Sequence, residues 1–388
     1  MRSYPLAGIK VLDLSRVLAG PFAGRMLSDL GADVVKLEPP EGDVTRHWGV
    51  KRGDISGYYH QQNAGKRNIA VDLRHPKGVE IVKSLVKQAD VLIENFRPDV
   101  MQRLGIDYDT LAEINPRLIM LSISGFGANN TDSRRAAYAP IIHAETGLVA
   151  RQAEVTGAFP TELPLSVADT NAAMHGLIGL LAVLYARQQS GRGDHVEIAM
   201  VDATIVTNDG MHSALEGLKV GVTNEVHETA GGLLMLAGEF RYIWKLLSSV
   251  YGVSDGLEDL QNATLEEKIK SRRAASRHFF TETCSNREEV IVALDKMNIA
   301  WGDVRPASDV RELASVKARG SIIEVDDRAG GTRPIPDSPY KFKQLEADVR
   351  AGAPHLGEHN EEILRQWLDW SDEEISNVQV AMLTSTAN

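Results

Sequence analysis

The sequence predicts an α/β protein: a parallel sheet covered by helices, followed by a smaller, more helical second domain. Three observations carry this. Strand-like and helix-like segments alternate over the first 125 residues, charged helical spacing dominates 240–300, and strand and turn signals rich in Gly and Pro follow before a last amphipathic helix.

The first element, "GIKVLDL", reads as a short buried strand. "GPFAGRMLSDLG" after it has helical spacing, with Pro21 in the first turn, where its missing N–H leaves no bond unmade. "ADVVKLEP" is the second strand, and the pattern recurs through "NIAVDL", "PKGVEIVKSLVKQA", "DVLIENF", "LAEINP" and "RLIMLSISGFG". Leu163 to Ala168 reads as an extended run that stops at Asp169; residues 170–189 make an apolar helix ended by "SGRGD", and "HVEIAMVD" reads as a further strand. "LEEKIKSRRAASRHFFTE" and "NREEVIVALDKM" are helices of the small domain, "GSIIEVDDRAGGTRPIPDSPYKF" gives strands and turns, and "GEHNEEILRQWLDWSDEEI" closes with an amphipathic helix. The expected division is 1–220 for the first part of the large domain, 226–325 for the small one and 330–388 for a segment returning to the first, with "TSTAN" frayed.

A chain of 388 residues can bury a large core and form two domains. Its net charge of −11 argues against a nucleic-acid partner, so basic contacts to any anionic ligand must be local. Cys284 is the single cysteine, which excludes a disulfide framework and a cysteine-based zinc site. "MRSYPLAGIKVLDLS" lacks the apolar core of a signal peptide, and Ala172 to Ala186, with His175 inside it, falls short of the ~20 apolar residues a bilayer span needs. A cytoplasmic protein without a membrane partner is expected, and the sequons at Asn129 and Asn262 read as chance matches.

"SRVLAGPFAG", with Glu38 near the end of the second strand, invites a dinucleotide reading. Pro21 and Phe22 break the glycine spacing that lets backbone approach a pyrophosphate, so NAD is not expected. "HLGEH", His355 to His359, matches a metalloprotease pattern only if both histidines share a helix face; Pro354 before it and Gly357 inside it make it a loop, and no metal is expected. His143, His175 and His212 lie on apolar helical segments and read as packed or hydrogen-bonded. Arg97 and Arg103 follow "DVLIENF", and Lys66 with Arg67 opens "NIAVDL"; each alone is an ordinary surface charge, but with Asn95 they could hold a phosphate-bearing ligand at the strand ends. Asp169 sits where an N-cap contributes ~1 kcal/mol. A helix start also favours its charged form, and an ionised carboxylate beside a bound electrophile is a possible nucleophile.

"LDLSRVLAGPFAGRMLSDLGADVVKLEPPEGDVTR", "NAGKRNIAVDLRHPKG", "DVLIENFRPDVMQRLGID", "SISGFG", "VADTNAAMHGLIGLLAVLYARQQSGRGDHVEIAMVDA" and "APHLGEHNEEIL" together resemble the class III coenzyme A transferases, the formyl-CoA transferase and carnitine CoA-transferase family. The resemblance runs over Leu6 to about Glu216 and from about Gly320 to Trp367. It implies a Rossmann-like, CoA-binding large domain, a small α+β domain and an interlocked homodimer. It also implies that Asp169 attacks an acyl-CoA thioester to give a mixed anhydride, that the expelled thiolate returns to form an aspartyl-CoA thioester, and that a small carboxylic acid reverses the cycle. CoA and acyl-CoA are then substrates, with no tightly bound cofactor. Val17, Ala19, Val71, Asn95, Arg97, Arg103, Leu104 and Tyr138 would contact the coenzyme, with Leu18, His143, Glu145, Gly231 and Gly232 on the substrate side.

Departures narrow the activity. Leu18 stands where the formyl-CoA enzyme has glutamine and Ala139 where it has glutamate, which argues against formyl-CoA and oxalate as substrates. Pro39 replaces a phosphate-binding arginine of some relatives, and "TAGGLL" matches the family's glycine loop only loosely. Succinyl-CoA or another small acyl-CoA is the expected donor. The alternatives are an α-methylacyl-CoA racemase-like isomerase and a non-catalytic acyl-CoA-binding protein. The racemase branch needs an acid and a base. Tyr138 and Ala139 of "RAAYAPII" occupy its histidine and aspartate positions, while Glu239 resembles its carboxylate.

Overall fold

The computed structural model describes residues 3–218, 224–259 and 261–382. The expected domain end at 220 and the "TSTAN" tail lie outside these residues. The chain divides into two compact units, Met1–His212 with Ser315–Asn388, and Ser213–Ala314.

The first unit begins with β1 (Lys10–Asp13), α1 (Ala19–Asp29), β2 (Asp33–Glu38), the short pair β3 (Lys51–Arg52) and β4 (Ile55–Ser56), α2 (Gly57–Asn63) and β5 (Arg67–Ala70). It continues with α3 (Pro76–Val86), β6 (Val91–Glu94), α4 (Pro98–Leu104), α5 (Tyr108–Ile114), β7 (Ile119–Ser124), α6 (Ala139–Glu145), α7 (Leu148–Thr156), α8 (Val167–Ser190), β8 (His195–Ala199) and α9 (Met200–Thr207). After α10 (Met211–Leu215), the second unit holds β9 (Glu225–Thr229), β10 (Gly232–Leu236), α11 (Phe240–Tyr251), α12 (Leu265–His278), α13 (Arg287–Lys296) and β11 (Trp301–Asp303). The chain then returns through α14 (Ala314–Arg319), β12 (Ile322–Asp326), β13 (Thr332–Pro336), α15 (Asn360–Leu368) and α16 (Asp372–Val378).

Six strands pair in parallel in the order β5-β2-β1-β6-β7-β8. This is the doubly wound, Rossmann-like order, which reverses direction between β1 and β6 and opens a crevice there at the carboxyl ends of the strands. The continuous apolar runs of these strands follow from burial on both faces. Val11, Ile93 and Leu121 pack with Ala23 and Leu27 of α1 and with Ala172, Leu177 and Leu180 of α8. Leu12, Val35 and Leu92 pack on the opposite face with Ile81, Leu85, Met101 and Leu111, and with Ile363, Trp367 and Ile375 of the returning segment. In the second unit, β9, β10 and β11 form an antiparallel sheet whose Leu234 and Leu236 pack against Ile243, Leu247, Phe280 and Leu294.

Local readings fail in four places. "HVEIAMVD" is not one strand: β8 ends at Ala199 and α9 starts at Met200. Leu163 to Ala168 pairs with no strand; Pro164 lacks an N–H, Leu165 is exposed, and α8 already begins at Val167. The expected domain limit at 325 falls inside β12, whose hairpin with β13 keeps both strands in the first unit. Finally, α8 extends the apolar run to 24 residues, which by length and composition is enough to cross a membrane. Its Ala172, Ala173, Leu177 and Leu180 are nevertheless buried in the chain's own core.

At the end of β1 the core becomes ionic. Asp13 and Lys66 pair at 2.8 Å with both side chains fully buried. Lys66 Nζ also donates to the Pro21 carbonyl (2.8 Å) and Asn63 Oδ1 (2.9 Å). Burial alone would raise the Asp13 carboxyl, but Lys66 and Lys36 outweigh it and hold it below the usual carboxylate range. Gly24 is required where α1 crosses this pair, because a Cβ there would lie 2.6 Å from Asp13 Oδ2. Lys36 Nζ donates to the Ser15 carbonyl (2.6 Å) and lies 3.5 Å from Asp43, which accepts the Val17 N–H (3.1 Å). The turn so gripped carries Val17 at φ 67°, left-handed backbone that valine avoids.

Removing one partner of a buried pair strands the other charge. Lys66→Met is therefore expected to cost ~3–5 kcal/mol of stability, read from denaturant midpoints at an unchanged slope. A loss no larger than that of a surface substitution would show that the pair does not anchor the turn.

Candidate active site

A cavity of about 420 Å³ opens at the β1–β6 crevice. Arg16, Val17 and Ala19 line it from the turn after β1; Asn95, Phe96 and Arg97 from that after β6; Ser124 and Gly125 from the end of β7 and the turn after it; Arg135, Tyr138 and Asp169 are also on the wall. Asn95 ties two of these turns together: its Oδ1 accepts the Arg16 N–H (2.7 Å) and its Nδ2 donates to the Arg16 carbonyl (2.8 Å).

Asp169 is not the N-cap of its helix. Ser166 holds that position, without a side-chain cap bond, and Asp169 is the third residue of α8. Its carboxylate instead lies within reach of the backbone N–H groups of Ala19 and Ala139, the first residues of α1 and α6, whose pull, with that of its own N–H, favours the charged form. Those amides are free because first-turn N–H groups have no partner within their own helix, and neither Leu18 nor Tyr138, the N-caps of α1 and α6, supplies a side-chain bond. Three helix starts thus converge on one carboxylate. Burial raises its pKa to about 6, against the amides, which favour the charged form. Desolvated but still largely ionised at neutral pH, such a group is suited to nucleophilic or general-base chemistry.

Of the residues expected to meet the coenzyme, Val17, Ala19, Asn95, Arg97 and Tyr138 line the cavity with Asp169. Three others lie off its wall. Arg103 pairs with Asp99 on the exposed face of α4 (3.2 Å), Leu104 packs against the second core face, and Val71 is fully buried and bridges Met382. The proposed basic cluster is absent as drawn, since Lys66 turns inward to Asp13 and Arg67 pairs with Asp33 and Glu362. Glu38 is buried, engaged by Arg46, Tyr59 and Asn68, and is not free for a ribose.

Among the substrate-side expectations, Leu18 is buried at the start of α1, His143 is 1% exposed, and Glu145 pairs with Arg135. Gly231 lies in the β9–β10 turn of the second unit and Gly232 opens β10; the Thr229 hydroxyl accepts the Gly231 N–H (3.0 Å) and donates to the Gly232 carbonyl (2.8 Å). His355 bonds Asp54, while His359 Nδ1 accepts the Asn68 N–H (3.1 Å), so the two histidines of "HLGEH" serve different partners. Among the described residues, no group of three or more His, Cys, Asp or Glu side chains could hold a metal.

Sequence reading missed Arg16, Phe96, Ser124 and Arg135 on the cavity wall, the last stacked on Phe126 at 4.5 Å. It also missed Tyr58, whose hydroxyl is pushed up to about 12 by burial and then by the charge of Asp169. The usable signal was two helices, at Ala19 and Ala139, that start without a capping side chain.

A doubly wound sheet with a half-buried carboxylate at its switch point agrees with the family comparison. Residues 6–360 match CoA-transferase family III, and the chain belongs to that family: it is a CoA-transferase. It is 33% identical to the succinate–glutarate CoA-transferase of Agrobacterium fabrum over 94% of this chain and 96% of that one. It is 29% identical to the succinyl-CoA–L-malate CoA-transferase beta subunit of Chloroflexus aurantiacus, over 97% of each. Among solved structures, a CAIB/BAIF family protein from Brucella suis superimposes with a TM-score of 0.79 at 30% identity, covering 94% of this chain and 100% of that one.

The Asp169 environment predicts its titration. In carboxyl-labelled protein its midpoint is expected near 6, against 3.8 for an ordinary aspartate. Because the folded value exceeds the unfolded one, the destabilisation from burying the charge is absent at low pH, grows between 3.8 and about 6, and then levels off. A midpoint near 4 would show that the carboxylate is solvated.

Proposed function

We propose that this CoA-transferase moves coenzyme A from a small dicarboxylic acyl-CoA, with succinyl-CoA as the first candidate, to a second carboxylic acid through covalent intermediates on Asp169. The observation that carries this is the Asp169 carboxylate in the cavity wall, its pKa raised by desolvation, within reach of the Ala19 and Ala139 amides. A carboxylate oxygen of Asp169 attacks the thioester carbonyl, and the C–S bond breaks to release CoA thiolate and leave a mixed anhydride. The thiolate then attacks the Asp169 carbonyl, freeing the donor acid and leaving an aspartyl thioester. The acceptor carboxylate attacks the carbonyl of that thioester, and its C–S bond breaks to release CoA thiolate and leave a new anhydride. Attack of the thiolate on the acceptor's acyl carbon completes the exchange and restores the Asp169 carboxylate. The Ala19 and Ala139 amides are placed to stabilise negative charge as it moves between these oxygens. Arg16 and Arg97 bring local positive charge to a chain of net charge −11, which suits the phosphates of CoA and a second carboxylate. The activities for which the Agrobacterium and Chloroflexus relatives are named favour a dicarboxylic pair. A cytoplasmic location is part of this reading, in keeping with a single cysteine that is buried.

The racemase reading needs a base on the far side of the α-carbon from Asp169. The α6 start offers only Tyr138, 61% exposed, and Ala139, whose backbone is already engaged. The proposed native unit is a homodimer. Met174, Ile178, Leu181 and Tyr185 form an apolar stripe along α8, with Ile178 64% and Tyr185 73% exposed, and a second copy of the chain is the proposed cover.

Incubation with succinyl-CoA followed by hydroxylamine is expected to label the peptide bearing Asp169. Asp169→Asn should lose ~10³-fold or more in turnover. Label on another carboxylate, or full activity in the variant, would sink the nucleophile assignment. Deuterium uptake and loss of chirality in a 2-methylacyl-CoA, with no CoA transfer to any acid, would favour the racemase. Light scattering should report a dimer at micromolar concentration, and a stable, active monomer would contradict that part.

A further inference from the structure

Helix α6 meets the first turn of α8 at two points. Its first amide, on Ala139, reaches the Asp169 carboxylate. One turn along α6, the imidazole of His143 reaches the residue just before Asp169: His143 Nε2 accepts the Ala168 N–H at 3.2 Å. An amide nitrogen can only donate, so Nε2 carries no proton and the neutral ring holds it on Nδ1. That Nδ1 is buried without a hydrogen-bond partner. A leucine would fill the same space without the unpaired Nδ1 but would leave the buried Ala168 N–H without an acceptor, so packing alone does not explain a histidine here. What the ring supplies is an acceptor. Ser166 makes no side-chain bond to the α8 start, and His143 does a cap's work from a different helix.

We propose that His143 is a positioning residue, which ties the first turn of α8 to α6 and so keeps the Asp169 carboxylate on the Ala19 and Ala139 amides. The proposal rests on the reading of Asp169 as nucleophile. Burial keeps the ring an acceptor by lowering its pKa, against the facing charge of Glu162, which pulls the other way. If the tie is lost, the first turn can shift, and a misplacement of ~1 Å at a reacting group can cost ~10²-fold in rate.

The test compares His143→Leu, His143→Asn and His143→Gln in the full chain. A glutamine side-chain oxygen reaches about as far as Nε2, whereas that of asparagine reaches only as far as Nδ1. With succinyl-CoA as donor and glutarate as acceptor, the Leu and Asn variants are expected to lose ~10- to 10²-fold in kcat with little change in KM for succinyl-CoA. Gln should recover most of the loss. Hydrogen exchange of the Ala168 amide should be faster in the Leu and Asn variants and restored in Gln, a readout that needs no substrate. Should the Leu variant fail to fold, the Gln–Asn pair carries the comparison. A Gln variant no better than Asn, or equal kcat in all variants while wild type still forms the Asp169 adduct, overturns the positioning role alone. Wild-type protein that forms no Asp169 adduct overturns the nucleophile reading beneath it.

Discussion

The contact between Asp13 and Lys66 is the constraint on which the site depends. Lys66 comes from the start of β5, Asp13 from the end of β1, and the same ammonium takes the Pro21 carbonyl in the first turn of α1. One cation therefore fixes the angle at which α1 leaves the sheet, and with it the direction of the Ala19 amide. Lys36 and Asp43 hold the other side of the turn through Ser15 and Val17. Two buried ions are tolerated because their bonding capacity is filled; Lys66 has three acceptors for its three protons. The strained Val17 backbone is held in place by this network rather than by its own preference.

The cavity wall is built from helices that do not cap themselves. Leu18, Tyr138 and Ser166 each precede a helix and none gives a side-chain bond to it. The open amides of α1 and α6 converge on the Asp169 carboxylate, while His143 takes that of Ala168. The arrangement balances two opposed effects. Burial pushes Asp169 toward the neutral acid, and the amides draw it back toward the anion, leaving a carboxylate that is charged near neutrality yet poorly hydrated. Water would have satisfied the same oxygens at the expense of their reactivity, so the scaffold's rigidity has chemical value.

Misreadings of the sequence have a common physical origin. Asp169 reads as the N-cap of its own helix, where its carboxylate would be consumed within its own first turn. Instead its carboxylate turns to two other helices. Lys66 reads as surface charge because lysine seldom lies in a core, and only the position of Asp13 across the strand gap makes its burial favourable. Arg103 and Val71 stand off the cavity wall, Arg103 paired with Asp99 on α4 and Val71 buried where it bridges Met382. Arg135 and Tyr58 gave no local signal, because neither stands in a pattern that distinguishes it from other polar surface residues.

What the sequence by itself determined is whatever neighbours along the chain decide: the apolar runs that become β1, β6 and β7, the Pro21 helix start, and the candidate carboxylate at Asp169. Burial on both faces demands such runs, and short-range backbone geometry sets the helix starts. The strand order, the inward turn of Lys66 and the pair of amides on Asp169 were decided by the tertiary structure alone. Each depends on groups distant in sequence that meet only when the sheet closes over its helices, and a buried charge or amide takes whichever partner that closure brings within reach.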